Sequence, residues 1–450
     1  MKVRLTALLV TLCLLSAGLV GAEANPPASS REAATYETAP DDVEAVVSMS
    51  TARGGEPESA PDTADVFPIC STDIEHFEAG PVHSYYVRMR DGVRIALDVI
   101  LPTGMAPMQK LPAVLIMTRY WRRAEGAPLT PEEKVLARSG FAVVTGDVRG
   151  TGASFGTWPY HRSRAETLDF GEIISWISKQ TWSDGSVVGY GVSYSANTAD
   201  WMAERNNPSL KAIAPRFPDF DPYADLYFPG GIANVWMAKT WGLAVKEMDL
   251  NQMHGADGKS LPGVRPVDAD TDKRLLAQAI DERRHVASVW EGLKQITFRD
   301  DRPTTWTGAS MDDWAIYSVR SEVERSQIPI QTWGSWFDAG TANGVLHRFM
   351  TQSNPQRAFI GAWPHGGFVG ASPYAAPGAP ASPSPAVQQS DDVCFFDHFV
   401  DSAHPTSLRP RKLLAYYTMG EERWKTSRNG PCPRRNSRPG TSARKTAWGR

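Results

Sequence analysis

The sequence predicts an α/β fold, a parallel sheet with helices on both faces, and three observations predict it. Short apolar runs at 113–117, 142–146 and 187–190 alternate with helical spacing at about 165–178 and 198–204, the pattern of βα units. Ahead of them, 82–101 alternates through Tyr85, Val87 and Met89, turns at Asp91-Gly92, and alternates again through Val93, Ile95, Leu97 and Val99, which reads as a hairpin. Further on, strand-like runs at 210–214, 328–333 and 358–363 continue the sheet around a block with no strand pattern, 219–327. Within that block Leu275-Leu276, Ile280, Val289-Trp290 and Leu293 fall at helical spacing, so it is expected to be a helical cap inserted over the carboxyl ends of the strands.

The ends of the chain read differently. Lys2 and Arg4, an apolar run over 5–19 and Ala22-Glu23-Ala24 predict an export signal over 1–24, hence a secreted or periplasmic protein with no stable membrane span after cleavage. Residues 25–75 are rich in Ala, Glu, Pro, Ser and Thr and are expected to form a flexible leader. The sheet domain then occupies 76–218 and 328–424 on either side of the cap. A stretch over 370–385, nearly all Ala, Pro, Ser and Gly, is expected to be a flexible surface excursion. Residues 425–450 hold eight Lys or Arg and no acidic residue, and form a basic tail.

At 450 residues and a net charge of −3, the chain is long enough for more than one folding unit and carries no basic excess that would favour nucleic acid as a partner. Cys13 leaves with the signal; Cys70, Cys394 and Cys432 permit a disulfide without fixing a pairing. No clustered His or Cys spacing suggests a metal, and no cofactor is expected. Fifteen tryptophans suit either an aromatic-lined pocket or a bulky core.

The stretch most suited to chemistry is Gly191-Val192-Ser193-Tyr194-Ser195-Ala196, directly after an apolar run. A serine hydroxyl becomes a useful nucleophile when a sharp strand-to-helix turn presents it to a histidine, and small neighbours permit that turn. The second glycine of the usual GxSxG pattern is absent. An activated serine needs a base, and the base an orienting carboxylate. Asp338 and His365 each follow a strand run, in the chain order serine, acid, histidine. The Tyr194 backbone N–H and the Tyr120 phenol, just past the 113–117 run, are candidate donors to an oxyanion. Asp312-Asp313, or Asp219 and Asp221, could anchor a cationic group of a substrate.

Several blocks in one order carry a resemblance: Asp147-Val148-Arg149-Gly150-Thr151-Gly152, Gln180-Thr181-Trp182-Ser183-Asp184-Gly185, the Ser193 turn, Trp336-Phe337-Asp338, Trp363-Pro364-His365, Phe395-Phe396-Asp397, and Met419-Gly420 with Trp424. Together, over about 82–424, they resemble the cocaine-esterase-like (CocE/NonD) hydrolases, related to the X-prolyl dipeptidyl aminopeptidases of serine peptidase family S15. The resemblance implies an α/β-hydrolase sheet, Ser193 as nucleophile, Asp338 as acid, His365 as base, and Tyr120 with the Tyr194 amide as oxyanion hole. The family's glycine three after the serine is Ala196 here. Its members usually continue into a jelly-roll domain, whereas this chain turns basic after Trp424. The expectation is therefore a serine hydrolase acting on a small ester, amide or peptide. Its alternatives are an X-Pro dipeptidyl peptidase or amino-acyl acylase, and a truncated, catalytically silent hydrolase.

Overall fold

The computed structural model describes residues 66–67, 74–106, 108–255, 258–376, 378–400 and 412–428. The expected export signal and most of the expected leader and basic tail lie outside the described residues.

Ten strands form one sheet: β1 (Glu78–Arg88), β2 (Arg94–Thr103), β3 (Leu111–Thr118), β4 (Ala142–Asp147), β5 (Ser183–Val192), β6 (Leu210–Arg216), β7 (Ile330–Ser335), β8 (Gln356–Gly361), β9 (Leu413–Thr418) and β10 (Arg423–Ser427). Their spatial order is β1-β2-β4-β3-β5-β6-β7-β8-β9-β10. The hairpin β1-β2 joins β4 antiparallel, β4 to β9 run parallel through the centre, and β10 turns back along β9. Parallel strands covered on both faces need apolar residues at every position. On β3, accordingly, Leu115 and Met117 enter one core cluster while Val114 enters another on the opposite face.

The helices pack on both faces. Helix α1 (Pro131–Arg138) opens on a capping box in which Thr130 and Glu133 satisfy each other's backbone N–H, with proline in the first turn. It is followed by α2 (Arg164–Ile177) and α3 (Tyr194–Glu204), the latter beginning directly after Ser193. Among the described residues between β6 and β7 lie α4 (Val235–Asp249), α5 (Arg274–Glu282), α6 (Val289–Leu293), α7 (Arg320–Ser326) and short 3-10 turns, and extended pairing is limited to isolated bridges such as Ala124 to Val264. Helices α8 (Thr341–Thr351) and α9 (Pro385–Val400) complete the set among the described residues. Cys394, fully buried on α9, is disulfide-bonded, and the other three cysteines lie outside the described residues.

Three expectations are corrected. Val66 and Phe67, placed by composition in the flexible leader, are 1% exposed. Phe67 packs 5.1 Å from Phe359 and 4.9 Å from Trp424, because an aromatic ring is stabilised wherever other rings can enclose it. The 370–385 stretch is held rather than loose: Gly370 N–H donates to Ala379, Ala371 N–H to Ala362, and the Ser372 hydroxyl to Glu422, while α9 already starts at Pro385. The sheet also runs past Trp424, since Lys425–Ser427 pair with Leu414–Tyr416 in β9.

Buried charge ties the sheet to its loops. Arg122 bridges Asp98 on β2 and Asp147 at the end of β4, at 2.8 Å to each, with all three side chains fully buried. Arg123 adds Asp98 and Glu133. Such groups are tolerated in a dry interior only when each charge is met, so this cluster fixes the loop after β3 that carries Tyr120.

Candidate active site

Ser193 occupies the junction of β5 and α3 with φ 62° and ψ −125°, a left-handed conformation that an L-residue adopts only when its surroundings enforce it. The turn is sharp enough that a Cβ on Gly191 would lie 2.4 Å from the Ser195 carbonyl carbon, which is why position 191 carries no side chain. Ser193 N–H donates to the Arg216 carbonyl at 2.9 Å, anchoring the turn to β6.

Asp338 lies between β7 and α8, its carbonyl accepting from the Thr341 N–H and hydroxyl, each at 3.0 Å. His365 follows β8. Its Nδ1 is 2.8 Å from Asp338 Oδ2, and because a carboxylate only accepts, Nδ1 carries the proton and Nε2 is left with its lone pair when the ring is neutral. Burial disfavours the charged ring, but the Asp338 carboxylate more than offsets this, so the pKa of His365 lies above the ordinary imidazole value. The ring also packs edge-on against Phe217, with centroids 5.7 Å apart. Ser193, Asp338 and His365 line one cavity of about 450 Å³. No hydrogen bond joins the Ser193 hydroxyl to the His365 ring in this arrangement. Proton transfer requires that contact to form, and contacts of this kind tighten when substrate is bound.

The Tyr120 phenol lies 3.5 Å from the Ser193 hydroxyl. Trp241 Nε1 on α4 donates to the Tyr120 oxygen at 3.1 Å. Tyr194 is the first residue of α3, where a backbone N–H has no partner within the helix. Its phenol donates to Glu166 at 2.6 Å. Burial pushes the Glu166 carboxyl up to about 7, against the opposing pull of the Tyr194 hydrogen bond and of Arg119 and Arg162. His161, beside them, is held well below the usual imidazole range by burial and by the same two arginines. Arg119 pairs with Asp249 on α4 at 3.0 Å, and Arg162 pairs with Asp219 at 3.0 Å. Trp121, Tyr227, Trp236 and Phe368 supply apolar wall.

Of the carboxylates offered as an anchor for a cationic group, Asp312 and Asp313 are not at the cavity. Asp312 pairs with Arg299 at 2.7 Å and Asp313 caps the Ser310 N–H, so both carboxylates are already engaged on a 3-10 turn away from Ser193. Asp221 likewise pairs with Arg299, and Asp219 lines the cavity but is matched by Arg162. The cavity carboxyls that the spacing did not single out are Glu132, Glu133 and Asp225. Asp225 accepts from Asn343 and from the Phe220 and Asp221 N–H groups, and burial raises its carboxyl to about 6. Phe220 and Asp221 lie five and four residues before it, but Asn343 reaches it from α8, which no local pattern reveals. Among the described residues no group of three or more His, Cys, Asp or Glu converges as metal ligands would.

The strand order, the antiparallel second strand and a strained serine straight after the fifth strand mark the α/β-hydrolase class of folds. Within that class the chain belongs to the X-Pro dipeptidyl-peptidase (S15) family, whose sequence profile matches residues 91–367. It is 32% identical over 424 residues to a Mycobacterium bovis protein provisionally named a serine esterase, covering 85% of this chain and 66% of that one. It is 27% identical over 358 residues to the cocaine esterase of a Rhodococcus species, covering 77% of this chain and 59% of that one. A solved CocE/NonD hydrolase from Staphylococcus aureus superposes with a TM-score of 0.50 at 20% identity over 77% of this chain and 55% of that chain, which bears on the fold alone. The chain thus spans no more than 66% of the length of these relatives.

Proposed function

We propose that the protein is a serine hydrolase that cleaves a small ester through an acyl-enzyme. Ser193 Oγ bonds to the acyl carbon while its proton passes to His365 Nε2. The alcohol leaves with that proton, and water, activated by the same imidazole, releases the acid. Asp338 holds the ring and stabilises its charged form, and the Tyr120 phenol and Tyr194 N–H receive the oxyanion. The observation that carries this reading is the 2.8 Å contact from His365 to Asp338 in the cavity that also exposes a left-handed Ser193. The names of the mycobacterial and Rhodococcus relatives favour an ester over a peptide. The carboxylates singled out as amine anchors, Asp312, Asp313, Asp219 and Asp221, are each engaged by other groups.

The test is turnover of p-nitrophenyl acetate beside a dipeptidyl-Pro anilide. The ester is expected to be hydrolysed, with kcat/KM falling ~10⁴- to 10⁶-fold in Ser193→Ala. Turnover of the anilide alone would replace the esterase reading with the peptidase one, and activity kept by Ser193→Ala would remove both. The export signal completes the proposal: the mature protein is expected outside the cytoplasm, starting near Asn25, which N-terminal sequencing of the secreted form checks.

A further inference from the structure

We infer that Trp236 and Phe368 are specificity-determining residues: two rings left half bare in the cavity of Ser193, they grip an apolar group of the substrate, so the preferred ester carries an extended apolar chain on its acyl or its alcohol side. The inference rests on the esterase reading above and names the substrate class for it. The other large aromatic walls of the cavity are already covered by protein, Trp121, Tyr227 and Trp241 being 1%, 3% and 6% exposed. Trp236 and Phe368 line the same cavity at 52% and 47%. Leu226 and Met237 extend the apolar lining. Rings this large bury much area when a ligand covers them, and removing apolar area from water is the main favourable contribution to such an association.

Both rings stand on backbone that is held in place. Trp236 lies in the first turn of α4, where the Asn234 side chain accepts from the Met237 N–H at 3.3 Å. Phe368 follows His365 through Gly366 and Gly367, with φ of 92° and 79°. A Cβ on Gly366 would lie 2.6 Å from the Phe368 ring, so the absence of a side chain there lets the ring fold back over the turn. Gln388 on α9 donates to the Gly367 carbonyl at 3.0 Å, and the Gly370 N–H donates to the Ala379 carbonyl at 3.1 Å, which ties the chain on either side of Phe368. A ring on fixed backbone loses little freedom when a ligand covers it, and binding is favoured accordingly. One ring comes from the β6–β7 segment and the other from the loop that carries the base, so the chain of the substrate is met by two separate elements.

The test compares kcat/KM along two series, p-nitrophenyl acetate, butyrate and hexanoate for the acyl side, and methyl, butyl and hexyl acetate for the alcohol side. From the shortest to the longest member of at least one series kcat/KM is expected to rise ~10- to 100-fold. The rise should fall mainly on KM, because a grip remote from the reacting bond holds substrate and transition state alike. In the double variant Trp236→Ala, Phe368→Ala the ratio of longest to shortest is expected to drop below ~3-fold, whereas Trp236→Phe with Phe368→Leu, which keeps apolar surface, should retain most of it. If the double alanine variant fails to fold, each single alanine change is expected to lower the ratio at least ~2-fold. Flat series in the wild type, or an unchanged ratio in the alanine variants, would overturn the inference. Faster turnover of p-nitrophenyl ε-aminohexanoate than of the hexanoate would also overturn it, by showing recognition of charge. Turnover of no ester would instead overturn the esterase reading beneath it. In that case inactivation by fluorophosphonates bearing ethyl and octyl chains carries the same comparison, and equal rates for the two would contradict the grip.

Discussion

The two sides of the cavity are built by different physics. On the sheet side, Ser193, Asp338 and His365 stand on turns after β5, β7 and β8, and the backbone places them: a left-handed φ at Ser193, a close approach at Gly191, carbonyl bonds from Thr341 to Asp338. On the side formed with the β6–β7 segment, buried charges meet across long stretches of chain, Arg119 with Asp249 and Arg162 with Asp219. A turn is specified by its own few residues. An ion pair is specified only once the chain has folded, and it costs stability unless both partners arrive. The sheet side is thus the part that fixes chemistry, and the opposite side is the part whose shape depends on satisfied charge.

The largest expected effect falls on the sheet side. Asp338→Asn should lower kcat ~10⁴-fold with little change in stability, since it disturbs the ring's tautomer and charge rather than the turn. It also reverses the balance on His365. With the carboxylate gone, burial acts alone and the imidazole pKa falls, so the acid limb of kcat/KM, where the ring must be neutral to act as base, should move to lower pH. A limb that moves up or stays in place would show that His365 is not the titrating base.

Arg119→Met tests the opposite side. It leaves Asp249 buried without the guanidinium that meets it and should destabilise the fold by ~3–5 kcal/mol in urea titration. If it unfolds no more easily than wild type, the contrast between the two sides fails. Gly191→Ala should cost ~1–3 kcal/mol and lower activity as well, because the added carbon collides with the Ser195 backbone. The smallest effect is expected from Glu166→Gln. The Glu166 carboxyl rises in the fold from 4.5 to about 7, so its contribution to stability is present below pH 4.5 and is lost as pH rises through about 7. The variant should lose that fall, and thermal melts across this range should be flatter than for wild type.

This contrast also explains what the sequence made legible. The strands at the centre announce themselves through apolar runs, and Ser193, Asp338 and His365 lie just past the ends of such runs. That is why their convergence on one rim could be expected before any coordinates. Helices α1 and α9 fall outside the pattern that the sequence reveals: α1 is marked by its capping box rather than by an apolar stripe, and on α9 Val393, Cys394, Phe395 and Phe396 are all buried, so no single apolar stripe forms. Phe67 sits in a segment whose composition suggests disorder, and only the ring cluster of Trp333, Phe359 and Trp424 reveals its place. Asp312-Asp313 looked like an anchor as an isolated pair of charges, but Arg299, which neutralises Asp312, is invisible to local pattern.

The most direct test of the central claim is to treat the purified protein with a fluorophosphonate and locate the adduct by peptide mass spectrometry. The account predicts stoichiometric modification of the peptide bearing Ser193, and loss of that modification in His365→Ala. Modification of a different serine, or none on protein that melts cooperatively, would contradict it.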